Sequence, residues 1–93
     1  MRIDELVWDE WNEDHIGRRG IRQEEVEEAV FDRASLFLRT HREGVLRYLV
    51  TGLTEAGRYL FLVLEPLSGN RAYVVTARDM TDGEKGRFKR RGR

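Results

Sequence analysis

Hydrophobic and polar positions change their rhythm about a third of the way along this chain. Between Asp9 and Arg18 the spacing is helical, with Trp11, His15 and Arg18 on one stripe and Asn12, Ile16 and Arg19 on the next, and Gly20 ends the run. Glu24 to Phe31 predicts a second short helix. Its apolar face is Val26, Ala29 and Val30, and its early turns carry Glu24, Glu25, Glu27 and Glu28, where carboxylates suit the helix dipole. From Ala34 onward the pattern becomes that of strands: Ser35 to His41, Val45 to Leu53, Arg58 to Glu65 and Arg71 to Arg78. The short connections between them predict an antiparallel meander. Thr81 followed by Glu84 is a capping-box pattern, so a last helix begins near Asp82, although Gly83 and Gly86 weaken it and Phe88 is its one large apolar anchor. The expected fold is α+β: two N-terminal helices, a four-stranded antiparallel sheet and a C-terminal helix, with the helices on one sheet face.

Ninety-three residues suffice for one domain, 1–93, with one modest core and a basic tail from about residue 85. The chain has no cysteine, which removes disulfides, thiolate zinc sites and cysteine nucleophiles together. Two histidines leave little for a metal, and no cofactor is expected. The first residues carry no apolar signal core, and the longest apolar run, Tyr59 to Leu64, is too short to span a bilayer. These features predict a cytoplasmic protein with no membrane partner. Net charge is zero, but residues 1–32 hold eleven acids and four bases, whereas residues 33–93 hold six acids and thirteen bases. Such a split suits a polyanion binder with an acidic back, and equally a domain with complementary halves.

Cleaving RNA without a metal requires a base for the 2′ hydroxyl, an acid for the leaving 5′ oxygen, and cations for the charge that develops on phosphorus. His15, Arg47, Arg71, Arg78 and Glu84 are of the right types. His15 is the histidine that falls on an amphipathic helix, where it serves either in proton transfer or as a packed, hydrogen-bonded residue. Arg78 stands where a strand hands over to a helix, a natural phosphate position, with a salt bridge to Asp79, Asp82 or Glu84 as its structural alternative. If the hairpins close symmetrically, Arg47 faces Leu64 and Leu64 faces Arg71, so both guanidiniums flank one leucine and converge on one phosphate; a solvated outer face is the other reading. Tyr73 stacks a base or joins the core. Lys85, Arg87 and Lys89 grip RNA or complement the end of the last helix. His41, beside a turn, is expected to be exposed and uninvolved.

Trp8-Asp9-Glu10 with Asn12, then Arg18-Arg19-Gly20-Ile21 before an acidic helix, four strands, and Val74-Val75-Thr76-Ala77-Arg78 followed by Glu84 and Phe88, together resemble the BrnT-type ribonuclease toxins of bacterial type II toxin–antitoxin systems. The resemblance runs from about Trp8 to Phe88. It implies a RelE-like fold, metal-independent RNA cleavage that arrests growth, and a cognate antitoxin that neutralises the toxin, leaving a homo-oligomer and a toxin–antitoxin hetero-oligomer both open. In that reading His15, Arg47 and Arg78 are catalytic, while Arg71, Tyr73, Lys85, Arg87 and Lys89 bind RNA. Many members have His-Gly where this chain has Arg19-Gly20, a basic residue where Asp79 stands, and tyrosine for Phe88. His15, one turn before Arg19, is a substitute for the missing imidazole. A non-catalytic binding module of the same fold is the alternative.

Overall fold

The computed structural model of the chain describes residues 2–90. In chain order the elements are β1 (Glu5–Val7), α1 (Glu10–Gly17), α2 (Gln23–Val30), β2 (Leu36–Arg42), β3 (Val45–Leu53), β4 (Tyr59–Leu67), β5 (Arg71–Asp79) and α3 (Asp82–Arg90). The strands form one five-stranded sheet in the order β1-β5-β4-β3-β2. This corrects the expected four-stranded antiparallel, RelE-like sheet. The short apolar opening is a fifth strand that pairs parallel to β5, with Glu5, Leu6 and Val7 beside Arg71, Ala72 and Tyr73. Three residues are too few to show a period, and their partner lies more than sixty residues away.

Glycine and polar residues shape the hairpins. Glu43 and Gly44 both have positive φ (53° and 77°), the backbone of a two-residue turn whose twist matches the strands it joins. Between β3 and β4 the main chain closes with Thr54 N–H donating to Arg58 O and Arg58 N–H donating to Thr54 Oγ1, both at 2.9 Å. That turn takes in Arg58, so the register shifts by one and Tyr48, not Arg47, opposes Leu64. In the next hairpin Pro66 and Leu67 continue the strand, so Val74 opposes Leu64 and Arg71 opposes Leu67. The proposed Arg47, Leu64, Arg71 row therefore does not exist.

β5 also contains a bulge. Leu64 pairs with Val74 and Val63 with Thr76, which leaves Val75 as the extra residue. Beyond it the alternation inverts: Ala72 and Val74 face the core before the bulge, and Ala77 faces it after. Tyr73 and Arg78 consequently share the opposite, outer face.

α1 and α2 cover the core face. Ile16, Ile21, Val26, Ala29 and Val30 pack on Val50, Leu60, Leu62, Leu64 and Val74, all essentially inaccessible. α2 lies so close that a β-carbon added to Gly52 would fall 2.0 Å from Ala29 O. α3 takes the other side, which corrects the expectation of helices on one face. Phe88 is buried edge-on against Tyr59, with ring centroids 5.9 Å apart, and Tyr59 belongs to the outer set that alternates with Leu60 and Leu62. Among the described residues no helix is long and apolar enough to cross a membrane.

Candidate functional site

β5 outruns its neighbour. β1 stops at Val7, opposite Tyr73, and beyond that point α1 lies along the exposed edge of β5. Side chains of the helix replace the absent strand: Asn12 Nδ2 donates to Val7 O and Val74 O, each at 3.0 Å, and Arg19 Nη1 donates to Ala77 O at 3.2 Å. Asn12 is 2% exposed and also accepts from Asp9 N–H, while Asp9 Oδ1 accepts from Asn12 N–H, a reciprocal cap at the start of α1. The inward residues of α1 are thus Asn12 and Ile16, and Arg19 reaches the strand edge from the turn after the helix. Trp11, on the neighbouring stripe, is 82% exposed.

This seating brings His15 to the sheet edge. His15 Nε2 lies 2.9 Å from Thr76 Oγ1, and Arg19 Nη1 donates to the same oxygen at 3.4 Å. The threonine oxygen has two lone pairs and can accept from both Arg19 Nη1 and His15 Nε2–H, a tautomer that leaves Nδ1 of the neutral imidazole as its free base. A shallow cleft of ≈ 190 Å³ opens beside this group, lined by Trp11, Asn12, His15, Tyr73 and Val75. Tyr73 donates its hydroxyl to Asp9 Oδ1 at 3.0 Å, and desolvation together with that carboxylate pushes its pKa above the usual phenol value. The cleft therefore combines two aromatic rings and an imidazole, and the Arg19 guanidinium meets that imidazole at Thr76 Oγ1.

The other candidates lie elsewhere. Arg78 gives both arms to Glu84 (2.9 and 3.0 Å), donates to Asp79 O, and stacks 4.1 Å above the Phe61 ring. Glu84 in turn accepts from Thr81 N–H, and Thr81 Oγ1 accepts from Glu84 N–H, completing the expected capping box. The hydrogen bonds from Arg78 hold the Glu84 carboxyl below its ordinary range. Arg47 stands opposite Glu65, 3.9 Å away, in the row that continues to Tyr73. Two inter-strand spacings and about four ladder steps separate Arg47 from Arg78, roughly 16 Å along the sheet. They do not converge on one phosphate.

Arg71 Nε donates to Ser68 O at the hairpin mouth. Lys85 and Lys89 lie over the Tyr59 ring, and Arg87 lines a groove on the outer face. The tail beyond Arg90, part of the expected RNA grip, lies outside the described residues. His41 is exposed, as expected. Thr76, Arg19 and Trp11 are the residues that sequence reasoning missed. A threonine in a strand carries no signal of its own, and only the parallel β1 and its early end reveal why α1 reaches it. Among the described residues no three His, Asp or Glu side chains gather as metal ligands.

No protein-family model matches the chain, and no curated protein does. Over the described residues the fold is an α+β domain with three helices and a five-stranded mixed sheet.

Proposed function

We propose that this protein is a toxin-like endoribonuclease that cleaves RNA without a metal and arrests growth, acting at the cleft between α1 and β5. The observation that carries this reading is the meeting of His15 and Arg19 on Thr76 Oγ1. The family pattern expects an imidazole at position 19; here the imidazole at 15, on α1, and the guanidinium at 19, in the turn that follows α1, reach the same hydroxyl. His15 takes the proton of the attacking 2′ hydroxyl, and Arg19 stabilises the charge that builds on phosphorus as the 5′ oxygen leaves and is protonated from solvent. Trp11 and Tyr73 hold unstacked bases on their rings, the usual way proteins engage single-stranded RNA. The protein works in the cytoplasm, and a cognate antitoxin silences it.

A second reading has its own support. Arg78 is saturated by Glu84 and Phe61, and Arg47 faces Glu65, so two cations assigned to phosphate have protein partners instead. That favours a non-catalytic binding module of the same fold. Induced expression in a bacterial host separates the two. A ribonuclease arrests growth with loss of RNA, and His15→Ala relieves both effects. Unimpeded growth with folded protein accumulating and RNA intact would leave the binding module.

A further inference from the structure

β2 is an edge strand of unusual openness. It pairs with β3 alone among the described residues, over seven consecutive partners with no bulge and no proline to disrupt its outer edge. Natural edges are normally blunted by such devices, because a regular row of unpaired N–H and C=O groups accepts another strand. Leu36 and Leu38 point from this strand to the outer face, 41% and 62% exposed. There they form one wall of a groove of ≈ 410 Å³ that also involves Leu49, Phe61, Arg87 and Phe88.

The charges around the groove are uncompensated. Glu84 on its α3 wall is neutralised by Arg78. Arg87 beside it and Arg42 on the same face of β2 form no ion pair with any described residue, and neither does Arg39, which alternation puts on the other face. A second copy of this chain is a poor occupant. Antiparallel pairing of β2 with itself about Arg39 sets guanidinium against guanidinium, and Leu-Phe-Leu-Arg-Thr-His-Arg contains no acid to offset it.

We propose that β2 and this groove bind an extended acidic segment of a partner protein by strand addition. Its backbone pairs with the free edge of β2, its alternate apolar side chains extend the row of Leu36 and Leu38 into the groove, a carboxylate within that same row meets Arg42 and Arg87, and the acids between them meet Arg39 on the other face of the sheet. The inference rests on the β2 edge and its charges, and is independent of the cleft at His15.

Selection of random twelve-residue peptides displayed against the full chain tests this, followed by anisotropy titration of the winners with wild type, Leu38→Arg and Arg87→Glu. Leu38 is exposed enough that its replacement leaves the fold intact, which circular dichroism verifies. The expected winners alternate apolar and acidic residues, bind each variant at least about tenfold more weakly, and protect the amides of Leu36–Arg42 from hydrogen exchange. Repeating the selection on Arg87→Glu should erase the preference for an acid within the apolar row, and repeating it on Arg39→Glu should erase the preference for acids between the apolar residues. The proposal is overturned if no peptide is enriched, if winners are basic or spaced helically, or if both variants bind them unchanged. It is equally overturned if an RNA oligomer is what Leu38→Arg displaces, or if sedimentation shows a dimer that Leu38→Arg dissolves.

Discussion

Arg58 holds Asp79 with two hydrogen bonds, Nε to Oδ1 at 2.7 Å and Nη2 to Oδ2 at 3.2 Å, while its remaining arm reaches Gly20 O and Glu25. One guanidinium thus ties the loop after α1, the start of α2 and the end of β5 together. It also accounts for the acid at position 79: Asp79 serves the architecture. The hydrogen bonds from Arg58 lower the Asp79 pKa, as those from Arg78 lower that of Glu84.

These two carboxylates set an acid limit on stability. A folded-state pKa below the unfolded value stabilises the protein above the ordinary carboxylate range, and that contribution disappears as pH falls below about 4 through the lowered values. Asp79 is largely solvated, so Asp79→Asn should cost no more than about 1 kcal/mol near pH 7. Thermal melts from pH 7 to 2 should show the difference between wild type and the Asp79→Asn, Glu84→Gln pair narrowing steadily with acid. A gap that widens below pH 4 would refute the assignment.

Asn12 has a larger role. Asn12→Ala removes the donor to two carbonyls and the acceptor at Asp9 N–H in a place water scarcely reaches, so about 2–4 kcal/mol should be lost. Urea denaturation gives the value, and a change under 1 kcal/mol would show that the helix does not depend on this residue.

Gly52 tests how tightly α2 lies on the sheet. Gly52→Ala requires the backbone at Ala29 to retreat, and about 3 kcal/mol of destabilisation is expected, the upper end for overpacking. Neutral behaviour in the same denaturation assay would mean that α2 sits further from β3 than described.

Much of the fold could be read from the chain, because the apolar residues repeat with clear periods. α1, α2, the four longer strands, the Thr81–Glu84 cap and the buried Phe88 all follow from spacing. The fifth strand, the bulge at Val75 and both hairpin registers could not be read. β1 is stabilised by a distant partner, Val75 has no glycine or proline to mark it, and each register depended on whether Arg58 and Pro66 belonged to a turn or a strand. The candidate site suffered most from these gaps, since a shift of one residue removed Arg47 from Leu64 and a parallel strand brought Thr76 to His15. Arg78 illustrates the limit well: its structural alternative, a salt bridge to Glu84, was legible in the sequence, and it is the contact that forms.

Trp11 separates binding from folding. Its ring contributes little to the core, so Trp11→Ala should leave the melting temperature within about 4 °C, consistent with a surface change of at most ~0.5 kcal/mol. If the indole stacks a base, affinity for a single-stranded RNA should fall by roughly 5- to 150-fold, the effect of losing about 1–3 kcal/mol. Unchanged RNA affinity would remove Trp11 from the site.

The most direct test is a time course of cleavage of a fluorogenic single-stranded RNA by purified protein, with chelator present, for wild type, His15→Ala and Arg19→Ala. A cleft acting as proposed turns the substrate over with chelator present, loses about a hundredfold or more in rate with His15→Ala, and loses a substantial fraction with Arg19→Ala, all three proteins remaining folded. RNA left intact by the wild type at saturating concentration, or cut equally fast by His15→Ala, would contradict the account.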